Sequence, residues 1–231
     1  MKLKDLDIVY VLKPDKNNEE LKYSIRSVEK NFPHKNIWFV GGLPDGLLPD
    51  SYIPSDQTSI KYYNVHNLIE KVAFFPSVSE DFVLFNDDFF VLKKVKDLPV
   101  YVDNDLNSLI NRIESSIGRR TFYTRILKQD IELLRNNNRP TLNFEVHLPM
   151  VFNRKLLQEV LWKYPNCLGI RSLYGNEVYS SEQTTNRPDV KVLTMTDVIP
   201  EDFVSTSDRV WKLGFDKKIK FKFRKPSPYE Q

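Results

Sequence analysis

The stretch Ser79-Glu-Asp-Phe-Val-Leu-Phe-Asn-Asp-Asp-Phe-Phe90 is the most informative part of the chain. Its first half, Asp81 to Phe85, is a short apolar run that predicts a buried strand. Asn86-Asp87-Asp88 follows at the point where that strand leaves the sheet. In open α/β sheets, ligands bind at the carboxyl ends of the strands. We therefore expect the acidic pair to lie at a binding site.

The segments before this stretch predict a parallel βαβ unit. Asp7 to Leu12 is apolar and rich in β-branched residues, which indicates a buried first strand. Residues 18–31 carry apolar side chains at helical spacing, with Asn17 or Asn18 as the N-cap. A second apolar run, Asn36 to Val40, predicts the next strand. The order strand, helix, strand favours parallel pairing and an α/β fold.

The rest of the chain predicts further helices, a loop and a C-terminal strand. A polar loop through Pro49 and Pro54 leads to residues 61–65. The expected helices are 67–75, 107–136 and 154–162, and a Gly-containing loop is expected at 169–176. In residues 217–225, basic side chains alternate with Ile219, Phe221 and Phe223, which predicts a strand with one basic face. Such a face fits either phosphate binding or a solvated edge strand protected by its lysines.

Composition is that of an ordinary globular protein. The 231 residues are 41% hydrophobic and 28% charged, with a net charge of +3, and they predict one domain covering residues 1–231. The single cysteine, Cys167, excludes an internal disulfide and thiolate metal clusters. Neither a signal core nor an apolar run long enough to span a membrane is present, so we expect a soluble, cytoplasmic protein.

The acidic pair predicts a metal site. Burying Asp87 and Asp88 as bare charges beside Phe85 and Phe89 would be costly, and a divalent cation would remove that cost. Mg²⁺ and Mn²⁺ bind one or two carboxylates and complete their coordination with water and substrate phosphates. The arrangement therefore suits a nucleotide diphosphate, although acidic pairs also cap helices and begin turns.

Four segments resemble one known family in order along the chain. They are Glu20 to Pro33 with Ile37 to Val40, the Asn-Asp-Asp segment Ser79 to Phe90, Phe144-Glu-Val-His-Leu-Pro149, and Arg171-Ser-Leu-Tyr-Gly-Asn176. Together they resemble the Stealth sugar-phosphotransferases and related small phage glycosyltransferases. The first strand departs from the Stealth pattern, because Leu12-Lys13-Pro14-Asp15 replaces a Trp-Val-Asp-like motif. This departure favours ordinary glycosyl transfer over phosphotransfer.

The resemblance implies a GT-A-like (Rossmann-like) fold, with a central mixed sheet flanked by helices. It also implies a nucleotide-sugar donor, with a UDP-sugar expected, and Mn²⁺ or Mg²⁺. By position, Asp88 would be the direct metal ligand, Asp87 would assist in metal binding and catalysis, and Asn86 would lie near the donor. His147 would match the family's functional histidine and Arg171 its phosphate-facing arginine.

Other candidate residues surround these positions. Imidazole serves as a base or as a metal ligand, so His147 is a candidate for both roles. Glu145 would share a strand face with His147 and is a rival base. Asn176 lies with Arg171 in the expected donor-binding loop. His66 and Asn67 are candidates for contact with the base or ribose of the donor, although Asn67 is equally explained as a helix cap.

The leading hypothesis is a metal-dependent glycosyltransferase that moves a sugar from a nucleotide-sugar to an acceptor hydroxyl. The expected acceptor is a hydroxymethylated pyrimidine in phage DNA, with a glycan as the alternative, and the phage resemblance places the enzyme in the host cytoplasm. The DNA hypothesis is motivated by the basic C-terminal segment and by Arg119, Arg120 and Arg125. Two alternatives are a Stealth-like sugar-1-phosphate transferase acting on a surface polysaccharide and a non-catalytic nucleic-acid or glycan binding module.

Overall fold

The computed structural model describes residues 2–165, 167–197 and 199–231. Its strands are β1 (Asp7–Leu12), β2 (Ile37–Gly41), β3 (Ser51–Pro54), β4 (Asp81–Phe85), β5 (Phe89–Val91), β6 (Val100–Val102), β7 (Met150–Asn153), β8 (Thr184–Asn186), β9 (Lys191–Val192) and β10 (Phe203–Thr206). Its α-helices are α1 (Glu19–Asn31), α2 (Lys61–Phe74), α3 (Leu106–Ile117), α4 (Phe122–Asn136), α5 (Arg154–Lys163), α6 (Ile170–Val178), α7 (Asp208–Val210) and α8 (Asp216–Lys222). A π-helical turn, Trp211–Phe215, joins the last two, and 3₁₀ turns lie at Leu3–Asp5 and Ser181–Gln183.

A five-stranded mixed sheet forms the centre of the molecule, in the order β3-β2-β1-β4-β7. The first four strands are parallel, and β7 runs antiparallel to β4. Alternate residues enter two different cores: Val9 and Leu84 face one, whereas Tyr10 and Phe85 face the other. Because both faces of the sheet are covered, its strands read as continuous apolar runs. The predicted α/β class with a central mixed sheet flanked by helices is confirmed.

Two smaller sheets extend this core. One has the order β5-β10-β9 and the other pairs β6 with β8. Ser205 of β10 pairs with Phe89 on one side and with Lys191 on the other. The small sheet therefore brings residues from near the C-terminus next to the Asn-Asp-Asp segment. Within the described residues, every helix is too short or too polar to cross a lipid bilayer.

The predicted βαβ unit is confirmed. The first strand has the expected limits, and β1 and β2 are parallel. Helix α1 begins after Asn18, whose side chain accepts a hydrogen bond from the backbone N–H of Leu21 at 2.9 Å. This contact satisfies one of the free N–H groups of the first turn.

The predicted C-terminal strand at 217–225 is wrong, because most of this segment is helix α8. The buried apolar residues are Phe215, Ile219 and Phe223, which are four positions apart and so lie on one face of a helix. Phe221, which completed the period-two pattern, is 70% exposed. The alternation of basic and apolar residues therefore does not reflect a strand. It arises because the exposed Phe221 lies between two apolar residues of the buried face of the helix.

Three other local predictions were also wrong. The expected loop at 169–176 is mostly helix α6, α2 begins at Lys61 rather than Asn67, and β3 lies in the expected polar loop. Gly175 lies inside α6, and a Cβ there would come within 2.4 Å of the ring of Phe144. This glycine therefore permits close packing of the helix and does not mark a turn.

Asp130 of α4 is the most unusual buried group outside the candidate site. It is 1% exposed, and neither carboxyl oxygen has a hydrogen-bond partner within the described residues. Burial, with a smaller contribution from the charge of Glu145, raises the pKa of Asp130 to about 8. Since its pKa is higher in the folded than in the unfolded protein, stability falls as pH rises from about 4 to about 8.

We expect Asp130→Asn to stabilise the protein by about 2–4 kcal/mol at pH 9, with a much smaller gain at pH 5. Urea unfolding at both pH values measures this difference. The exposed Asp97 gives a matched control, because Asp97→Asn removes the same charge without a burial penalty. An equal gain from Asp130→Asn at both pH values would contradict the ionisation argument.

Candidate active site

A cavity of about 540 Å³ opens at the carboxyl ends of β1 and β4. Parallel strands end at the same edge of a sheet, so Leu12 and Asn86 reach this cavity from neighbouring strands. Nine ionisable side chains of the described residues line it: five carboxyl groups (Asp15, Glu20, Asp87, Asp88 and Asp208), three lysines (Lys13, Lys61 and Lys191) and His147. The acidic pair follows a central strand and lines a cavity, as expected, and its part in ligand binding stays a prediction.

Asp87 is linked to the start of α1. Its Oδ2 accepts a hydrogen bond of 2.7 Å from Nδ2 of Asn18, the residue that also caps the helix. Burial, together with the negative charge of Asp88, raises the pKa of Asp87. The Asn18 amide therefore holds Asp87 in place, although burial and the charge of Asp88 disfavour the ionised form of its carboxyl group.

Asp88 is held by two donors from the small sheet. Its Oδ2 accepts a hydrogen bond of 2.9 Å from Oγ of Ser205 and pairs with Nζ of Lys191 at 3.2 Å. The sequence argument expected a divalent cation to offset the buried charge of the pair, whereas in the structure a lysine already offsets part of it at Asp88. This lysine comes from a segment more than a hundred residues away in sequence.

A third carboxyl group increases the negative charge of the cavity. Burial, then the charges of Asp87, Asp88 and Asp208, raises the pKa of Glu20 to about 7. Thr206 donates a hydrogen bond of 3.2 Å from its hydroxyl to Oε1 of Glu20. Across the described part of the chain, no three His, Cys, Asp or Glu residues are arranged to hold a metal ion by themselves. A metal here would need ligands from a substrate or water, as Mg²⁺ and Mn²⁺ commonly take.

His147 forms a dyad with Asp189. Asp189 Oδ2 lies 2.7 Å from Nδ1 of the imidazole, and its Oδ1 accepts the backbone N–H of His147 at 2.9 Å. Although burial alone would raise the pKa of Asp189, these contacts with His147 bring it below its usual value. With Nδ1 directed to the carboxylate, Nε2 is the ring nitrogen left for chemistry in the cavity that His147 lines.

Comparison with solved structures assigns the fold. A crystal structure of the galactosyltransferase LgtC in complex with donor and acceptor sugar analogs superposes with a TM-score of 0.50 at 10% identity, over 96% of this chain and 98% of LgtC. An active-site mutant of LgtC gives a TM-score of 0.53 at 12% identity, with the same coverage. The chain has a GT-A-like fold.

Sequence comparison adds no family assignment. No protein-family model and no curated protein matches the sequence. The glycosyltransferase GlyE of Streptococcus pneumoniae TIGR4 also aligns, at 10% identity over 79% of this chain and 45% of that chain, but its TM-score of 0.36 is too low to support an argument. At these identities the likeness to LgtC establishes the GT-A-like fold alone.

Within this GT-A-like fold, Arg171 does not have the position expected of a phosphate ligand. Its guanidinium donates to the backbone carbonyls of Phe144, Val146 and Leu148, at 3.1, 3.1 and 2.6 Å. These residues flank His147. Arg171 therefore fixes the backbone of the segment that carries the histidine and lies outside the lining of the cavity.

Glu145 also has a structural position. Its Oε1 accepts hydrogen bonds from the backbone N–H and the hydroxyl of Ser172, at 3.0 and 2.8 Å, in the first turn of α6. The expectation that Glu145 and His147 share a strand face is wrong, because residues 143–148 form an irregular segment. Period-two alternation does not apply there.

The remaining candidates lie away from the cavity. His66 and Asn67 are in the interior of α2, whose cavity-facing residues are Lys61, Asn64, Val65 and Leu68. Asn67 is exposed and does not cap the helix. Asn176 is 2% exposed and bonds to the backbone of Leu142 and Ser172, so it joins α6 to the neighbouring segment.

Sequence reasoning missed Asp189 and Lys191, which contact His147 and Asp88. A weak signal was present in Asp189-Val190-Lys191-Val192, where polar and apolar residues alternate. Both valines are buried, whereas Lys191 lines the cavity and Asp189 contacts the cavity-lining His147. Period-two spacing predicts this common face, although it does not predict the contacts across the fold.

Proposed function

We propose that the protein is a glycosyltransferase that moves a sugar from a nucleotide-sugar donor, with a UDP-sugar expected, to an acceptor hydroxyl. The observation that carries this proposal is that Asp87, Asp88 and His147 line one cavity of a GT-A-like fold, with His147 paired to Asp189. A carboxylate-rich wall suits a metal-bound diphosphate, and an oriented imidazole suits removal of a proton from the acceptor.

The donor set fits Mn²⁺ or Mg²⁺. Burial, then the charge of Asp88, raises the pKa of Asp87. Burial, then the charges of Asp87, Asp88 and Asp208, raises the pKa of Glu20. A cation would relieve the repulsion between these carboxyl groups. Asp88 would be the direct ligand and Asp87 would assist. When bound, such an ion supplies charge stabilisation to a departing diphosphate. Asn86 also lines the cavity and would contact the donor.

His147 would act as the base, with Asp189 holding the imidazole in the tautomer that leaves Nε2 unprotonated. The same geometry serves a metal-ligating histidine, whose second nitrogen commonly bonds to a carboxylate. The base role is favoured, because Asp87, Asp88 and His147 do not group as a metal cluster within the described residues. Arg171 and Glu145 would act indirectly, by holding the backbone around His147.

A thermal-unfolding screen of nucleotide-sugars, with and without Mn²⁺, tests this function. A bound donor should raise the unfolding midpoint by several degrees at a concentration 100-fold above its Kd. The released product then identifies the reaction: nucleoside diphosphate indicates glycosyl transfer, and nucleoside monophosphate indicates the Stealth-like alternative. Absence of any donor binding or turnover would favour a non-catalytic binding module.

For the acceptor, we propose a hydroxymethylated pyrimidine of DNA, with a glycan as the alternative, and a reaction in the cytoplasm of a phage host. Support comes from the basic helix α8, where Lys220 pairs with Glu19 at 2.8 Å, next to the cavity-lining Glu20. Replacing Lys217, Lys218 and Lys222 by Gln should weaken DNA binding and reduce its salt dependence. Unchanged, salt-independent activity would argue for a glycan.

A further inference from the structure

Lys191 pairs with a carboxylate oxygen of Asp88, the residue proposed as the direct metal ligand. Its Nζ lies 3.2 Å from Oδ2, and the side chains of Lys191 and Asp88 are 24% and 13% exposed. Ser205 donates to the same oxygen at 2.9 Å. The ion pair is therefore half-enclosed and lies within the cavity that would receive the donor.

The strand geometry fixes the backbone of Lys191 but not its ammonium group. Lys191 pairs with Ser205 in the β9–β10 ladder, and the neighbouring Val190 and Val192 are buried. The backbone is thus anchored on both sides. A lysine carries its charge on a flexible four-carbon stem, so Nζ can leave Asp88 while the strand stays in place.

The other lysines that line the cavity have different positions. Lys13 pairs with Asp15 at 2.9 Å, and its side chain is 59% exposed. Lys61 is exposed at the start of α2. Among the cavity lysines of the described chain, Lys191 is the one whose ammonium contacts the Asn-Asp-Asp segment. Lys191 therefore compensates Asp88 by direct contact, whereas Lys13 acts on Asp87 through its charge.

We propose that Lys191 is a displaceable internal cation that holds Asp88 until a divalent ion takes its place. The inference rests on the proposed metal-dependent function and adds a coupling to it. A divalent ion carries twice the charge of the ammonium, but it must compete with a group that is already in place. The displaced ammonium remains in the cavity, where a phosphate group can pair with it. Metal and diphosphate therefore bind more tightly together than either does alone.

Binding of Mn²⁺ alone tests the competition without requiring turnover. We expect Lys191→Met to bind Mn²⁺ about tenfold more tightly than the unaltered protein, measured by the electron paramagnetic resonance signal of free Mn²⁺. Lys61→Met is the matched control, since it removes one positive charge from the same cavity without touching Asp88, and it should change Mn²⁺ affinity less than threefold. Lys191→Arg keeps the competing charge and should leave Mn²⁺ binding weak.

Diphosphate binding gives a second readout. With Mn²⁺ at saturation, UDP should bind Lys191→Met about tenfold more weakly than the unaltered protein, measured by calorimetry. Circular dichroism and thermal unfolding establish that each variant is folded. Unchanged or weaker Mn²⁺ binding by folded Lys191→Met, or an equal gain in Lys61→Met, would overturn the proposal. This failure is distinct from failure of the proposed function, in which the unaltered protein would neither bind nor use any nucleotide-sugar.

Discussion

Asp88→Asn should lower the rate of sugar transfer by about 10²–10³-fold while leaving the protein folded. The substitution keeps the size of the side chain and an oxygen that can accept from Ser205, whose hydroxyl lies 2.9 Å from Oδ2. It removes the charge that would bind a divalent ion. Transfer from the donor found in the thermal screen, measured with saturating Mn²⁺, gives the loss in kcat directly.

Two controls separate metal binding from general electrostatics in this experiment. Asp208→Asn removes one negative charge from the same cavity and should cost less than tenfold. The Mn²⁺-dependent part of the thermal shift should vanish in Asp88→Asn and persist in Asp208→Asn. If Asp88→Asn retained both its activity and its Mn²⁺-dependent shift, the acidic pair would have no part in holding the diphosphate.

The central sheet could be predicted because its strands carry their own signal. Each of β1, β2 and β4 is buried on both faces, so each is an uninterrupted apolar run. The position of Asp87 and Asp88 then followed from one rule, that ligands bind where parallel strands end. Local sequence and general topology were sufficient for this part of the site.

The rest of the site depends on contacts between distant segments. Arg171 looked like a phosphate ligand, but its guanidinium is used by three backbone carbonyls of an irregular segment. The basic residues near the C-terminus suggested a strand, because Phe221 masked the four-residue spacing of Phe215, Ile219 and Phe223. A periodic pattern does not show which side chains bond to the backbone, and a single exposed aromatic residue can change its apparent period.

Sequence arguments about charge could not identify the partner of the acidic pair. The cost of burying two bare carboxylates was a sound argument for a positive charge near Asp87 and Asp88. It did not determine which charge, and the structure places Lys191 beside Asp88. A rule about charge balance predicts the sign of a partner but not its identity.

His147→Ala should reduce transfer by about 10²–10⁴-fold, because it removes the group proposed to take the acceptor proton. The dyad geometry strengthens this expectation, since Asp189 Oδ2 lies 2.7 Å from Nδ1 and directs the other nitrogen to the cavity. Asp189→Asn should also lower the rate, by a smaller factor, because an amide can stabilise the wrong tautomer of the imidazole. Combining the two substitutions should cost little more than His147→Ala alone, since Asp189 would act through the histidine.

The pH profile distinguishes a base from a residue that only supports the structure. If His147 is the base, an acidic limb in the kcat/KM profile of the unaltered protein should be absent in His147→Ala. If the limb persisted unchanged in His147→Ala, the proton would be removed by another group. Glu20 would then be the group to test, because it lines the same cavity and its pKa is raised to about 7.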